Sequence, residues 1–165
     1  MNLFIVVIGV HRSFAYEKEF DAFSLLVSAP VDRGLIFLSK WLSGFIFITT
    51  TQLIIIVPFF KLLLLDLPGN LPSFVLTSLL INLAMMSVAS IISGIVIRSS
   101  FSEILLPLLM FPLLSPLMIA ATKISNDIIN SQSYELWNVW FLIIVSIVVL
   151  FGLAGYALFD FIVEE

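Results

Sequence analysis

Apolar residues run along this chain in blocks too long for the core of a water-soluble domain. Four stretches, 35–65, 72–97, 104–121 and 137–163, each have the length and composition of a membrane-crossing helix, which takes roughly 17–25 mostly apolar residues. Asp66, Pro68, Gly69, Asn70 and Pro72 separate the first from the second, since proline and glycine punctuate helices. A short polar turn around Arg98 and Glu103 separates the second from the third. A longer polar connection, 122–136, precedes the fourth and suggests a short surface helix near 126–129. Residues 1–10 are apolar but too few to cross alone, and read as the stub of a further span.

The blocks leave little room for charge. Hydrophobic residues make up 61% of the 165 and charged residues only 11%, against about 25% charged in soluble domains. The pattern predicts an all-α, polytopic membrane helical bundle: one membrane domain with four full transmembrane helices. Eight of the eighteen charged residues fall between Arg12 and Lys40. If that stretch is cytoplasmic, its side holds Arg12, Lys18, Arg33, Lys40 and Arg98, and the other side holds Lys61 and Lys123. The positive-inside rule favours this arrangement. It places the C-terminus on the cytoplasmic side.

Projected on a helix, Tyr16, Phe20, Phe23 and Val27 share one side, while Glu17, Lys18 and Asp21 share the other. This predicts an interfacial amphipathic helix, aromatic side down. Pro30 stops it, because the residue before a proline avoids the helical region. Asp32 is placed to cap the next span, with Arg33 and Lys40 at headgroup level. Segment 12–33 is then either a plain connector or a docking surface for a soluble partner. The docking candidates are Arg12, Phe14, Glu17, Lys18, Asp21, Pro30, Asp32 and Arg33.

Three runs carry a family resemblance. The first comprises Arg12 to Glu17, Leu25-Leu26, Ala29-Pro30-Val31 and Lys40. The second is Glu103 followed by the leucine-rich helix with Pro107, Pro112 and Pro116. The third is the end of the chain from Phe159. In this order they resemble the CcmB family, the permease subunit of the cytochrome c maturation ABC transporter (haem exporter protein B). The resemblance implies an ABC-2-type permease-like fold. It also implies a partner ATP-binding cassette subunit (CcmA-like) that holds the ATP, and other maturation subunits in the membrane (CcmC-like). Haem enters as a possible cargo, with no cofactor bound by this chain itself. The family has six spans, so the resemblance further implies that the first span and most of the second are missing here.

The remaining polar residues have two readings each. Pro107, Pro112 and Pro116 remove backbone hydrogen bonds and bend a helix. The bend either lines a path or lateral opening, or only fits the bundle. Glu103 is a helix cap, a partner of Arg98, or a contact for the ATPase. Ala89 and Ser93, and Ser90 and Gly94, are four apart, a spacing that lets helices approach closely within the chain or across a homodimer. Gln52 and Asn82 fit interhelical hydrogen bonds better than ligand groups. Tyr134, Trp137 and Trp140 form an aromatic belt. His11 is the only histidine and there is no cysteine, so no metal or haem ligand set can be assembled from it.

The sequence lacks a Gly-rich phosphate loop ending in Lys-Ser/Thr, so an ATP-driven role must enter through a partner and the chain is not itself an enzyme. The seven basic residues form no cluster suited to nucleic acid. The leading function is therefore a permease subunit that transmits ATPase-driven movement to the membrane spans. The competing ones are a membrane scaffold that recruits a soluble partner, and a small secondary carrier.

Overall fold

A computed structural model describes residues 2–19, 32–64, 70–96, 99, 101–130 and 132–164. They form α1 (Asn2–Glu19), α2 (Arg33–Leu62), α3 (Leu71–Val96), α4 (Ser102–Ile129) and α5 (Tyr134–Glu164). Four of these, α2 to α5, are long and apolar enough to cross a membrane. The all-α bundle expected from the apolar blocks is the observed architecture.

Two boundaries differ from expectation. The apolar stub and the start of the charged stretch are one helix: α1 runs without a break through Arg12 to Glu19. No proline or glycine lies between Val10 and Glu19 to interrupt it. A separate interfacial helix therefore does not begin at Tyr16, and its expected continuation to Pro30 lies outside the described residues. Likewise, the surface helix expected near 126–129 is the last turn of α4. The polar side chains after Thr122 end the apolar block but not the helix, because backbone hydrogen bonding tolerates either kind of side chain. The Thr122 hydroxyl folds back on the same helix, donating to the Met118 carbonyl at 3.0 Å and the Ile119 carbonyl at 2.9 Å.

α3 is the centre of the bundle and contacts all four other helices. In its most apolar window 72% of residues are buried, against 6% for α2. The reason lies in its side chains. Ala84, Ser87, Ala89, Ser90, Ser93 and Gly94 are all buried, and small residues let neighbouring backbones come close enough for dense packing. The expected use of this run for helix packing is what the fold shows. Its hydroxyls are mostly satisfied within the helix, Ser87 donating to the Ala84 carbonyl at 2.8 Å and Ser93 to the Ser90 carbonyl at 2.7 Å.

The helices alternate in direction. Gly34, Phe37 and Trp41 of α2 lie against Tyr156, Gly155 and Gly152 of α5, so rising numbers on one meet falling numbers on the other. At Gly155 the absence of a side chain lets the Phe37 ring sit against the backbone; a Cβ there would overlap it. Phe37 also packs on Phe159 with ring centroids 5.7 Å apart. Between α2 and α3, Trp41 Nε1 donates to the Leu83 carbonyl at 3.0 Å. Asn82, fully buried, donates to the Gln52 side-chain oxygen and lies near the Thr49 hydroxyl. The expected interhelical role of Gln52 and Asn82 is thus observed. Trp137 and Trp140 are half-buried against the main core, and Trp137 meets Phe141 edge-on at 6.1 Å.

α4 stays helical through Pro107, Pro112 and Pro116. Each proline removes the N–H that would serve the carbonyl four residues earlier. For Pro116 that carbonyl belongs to Pro112, and the Ser115 hydroxyl donates to it at 2.8 Å. A side chain thus replaces the missing backbone donor, as apolar surroundings demand. Ser115→Ala should lower stability by about 1 kcal/mol, the usual net worth of one hydrogen bond. In a Pro116→Ala background the restored N–H serves the same carbonyl, and the effect should vanish. Denaturation of the four variants in detergent checks this double-mutant cycle.

Candidate functional site

The charged stretch is anchored at both ends. At one end, Asp32 precedes α2 and its Oδ1 accepts from the Gly34 N–H at 3.0 Å. That is the cap expected of an aspartate before a helix, meeting one of the N–H groups that no carbonyl can reach. Arg33 follows, half-buried. At the other end, Arg12 is exposed on α1, two residues beyond the buried Val10.

Between these anchors, Phe14, Glu17 and Lys18 belong to the last turns of α1 by their backbone, and their side chains lie outside the described residues. Asp21 and Pro30 lie wholly outside them, as do the side chains of His11, Tyr134 and Asp160. On α4, Glu103 is in the first turn, and its side chain is likewise outside the described residues. Pro107 is half-buried, while Pro112 and Pro116 are exposed, sharing an outward face as their spacing of four requires.

A cavity lies elsewhere, between α1, α2 and α3, with a volume of about 780 Å³. None of its lining comes from α4, so the proline face and the cavity are separate features. α1 contributes Phe4, Ile8, Gly9, Arg12 and Ser13. α2 contributes Lys40, Ser43, Gly44, Phe47 and Ile48. α3 contributes Met86, Ser90 and Ser93. The Arg12 and Lys40 side chains thereby share one chamber, although 28 positions separate them in sequence. Gly9 lies opposite Phe47 and Gly44 opposite Met86. A Cβ at Gly44 would overlap the terminal methyl of Met86, so the Met86 side chain takes the space that Gly44 leaves.

Neither Ser43 nor Gly44 stood out in the sequence, although a signal was there. Lys40, Ser43, Gly44, Phe47 and Ile48 follow the three-and-four spacing of a single helical face. Phe4, Ile8, Gly9 and Arg12 do the same on α1. The apolar surroundings hid both faces, because in a span nearly every position is hydrophobic and periodicity loses contrast.

Comparison with known proteins gives a family match. The family model described as CcmB protein matches residues 1–160, which include the charged stretch, the cavity and the whole proline helix. No curated protein and no solved structure matches the chain.

Asp32 stands both in the docking stretch and at a helix cap, and two substitutions separate the roles. Asp32→Ala should cost about 1 kcal/mol of stability, while Asp32→Asn, which keeps a capping oxygen, should stay within a few tenths of wild type. Thermal unfolding of the two purified variants measures the difference.

Proposed function

The chain belongs to the CcmB family, and from that premise we propose that it passes ATPase-driven movement from its charged stretch to its membrane spans. Family membership makes it a membrane permease component of a haem-export ABC transporter in cytochrome c biogenesis. In the proposed arrangement a separate CcmA-like subunit binds and hydrolyses ATP. The stretch from Arg12 to Arg33 faces that subunit in the cytoplasm, and CcmC-like subunits accompany the chain in the inner membrane.

One observation carries this reading. α1 is continuous from the core to the end of its charged turns. Val6 and Val10 are buried in the main hydrophobic cluster, and the helix packs against α2, α3 and α4. From Val10 the same helix extends nine residues to Glu19, about 13 Å at 1.5 Å per residue. A helix of this length does not bend easily without proline, glycine or a bulge. A push at Glu17 or Lys18 is therefore delivered to the packed part of α1, rather than absorbed by a hinge. Haem remains a cargo of the assembly in this reading, and this chain supplies the moving helices.

Two variants test the two halves of the proposal in the purified complex. Glu17→Ala with Asp21→Ala should weaken ATPase association about tenfold, from the loss of two charge contacts. Ser13→Pro should leave association intact and abolish stimulation of ATP hydrolysis, because an interior proline breaks the helix between the docking end and the core. Ser13→Ala is the control that keeps the helix and the stimulation. Unchanged association in the first variant sinks the docking assignment; full stimulation in Ser13→Pro sinks transmission through α1. Ion-gradient-driven flux by the purified chain without any ATPase favours the carrier reading instead.

A further inference from the structure

The cavity between α1, α2 and α3 divides sharply in its chemistry. Its polar end carries Arg12, Ser13, Lys40 and Ser43, and the rest is apolar apart from Ser90 and Ser93. It opens sideways, where Phe4, Ile8 and Phe47 are each more than half exposed. A chamber with two cations at one end and hydrocarbon walls matches an anion that carries a long apolar tail. Its volume lies within the range of small-molecule sites.

The depth of the cations suits a lipid. α2 has 30 residues, about 45 Å at 1.5 Å per residue, the thickness of a bilayer with its headgroup layers. Lys40 lies seven residues from the start of α2, about 10 Å inward and near the boundary between headgroups and hydrocarbon. The antiparallel pairing that sets Gly44 against Met86 brings Lys40 level with Ser90. Arg12 lies on the same chamber wall, just past the apolar run 3–10 of α1.

We propose that this cavity binds one anionic phospholipid from the bilayer leaflet on the Arg12 side. The phosphate sits between Arg12 and Lys40, and an acyl chain fills the apolar groove between α1 and α2. This proposal rests on the cavity alone and is tested without an ATPase subunit. The delipidated chain in detergent is offered equal amounts of phosphatidylglycerol and phosphatidylcholine, and bound lipid is counted by native mass spectrometry. The expected result is one phosphatidylglycerol retained in preference to phosphatidylcholine, and not displaced by soluble glycerol phosphate. Arg12→Gln and Lys40→Gln should each lower that retention about fivefold, the usual worth of one basic residue at an anionic surface. Equal retention of the two lipids, or retention insensitive to Arg12→Gln and Lys40→Gln, overturns the proposal. So does a crosslink between Ser43→Cys residues of two copies formed in place of lipid binding, which would put a protein helix in the groove.

Discussion

Helices dissolved in hydrocarbon gain little from hiding one apolar surface against another, because lipid tails are as apolar as leucine. What holds them is close approach, and close approach here is provided by α3. Its buried alanines, serines and glycine keep its profile narrow, so that α1, α2, α4 and α5 can all reach it. Bulky partners then fill the remaining space: Met86 against Gly44, and on the neighbouring α2–α5 contact Phe37 against Gly155. The low burial of α2 follows, since a helix at the rim touches the centre along one side only and turns the rest outward.

The same medium governs the polar groups. Hydroxyls that face outward fold back onto their own helices: Thr50 to the Ile46 carbonyl, Thr51 to the Phe47 carbonyl and Ser146 to the Leu142 carbonyl, each at 2.8 Å. The buried Ser87 and Ser93 do the same, while the buried amide of Asn82 joins α3 to Gln52 of α2. Against that background Ser90 is an exception, and Ser115 shows how a local defect in the backbone is mended by a neighbour.

Much of this was legible in the sequence because hydropathy and helix length are set by the same bilayer. The four spans, the small residues of α3, the Asn82–Gln52 pair and the Asp32 cap all follow from one-dimensional patterns. Helix ends proved harder. The charges after Val10 and the polar residues after Thr122 mark where the apolar blocks end, and helices continue through both points. The cavity was not legible, since it depends on the register between α1 and α2. Lys40 and Arg12 look like two separate interfacial cations until Gly9 is set against Phe47.

The continuity of α1 has a geometric corollary. A straight helix fixes not only distance but phase, and each residue advances it by about 100° and 1.5 Å. The direction in which the Glu17 turn points is thereby locked to the direction in which Val6 and Val10 point. Inserting or deleting a single residue between Val10 and Glu17 would change the length very little, yet it would swing the outer charges by more than a quarter turn relative to the core. The spacing along this helix acts as an angular setting, comparable to the tooth of a gear on its shaft, and substitutions that preserve chain length leave it untouched.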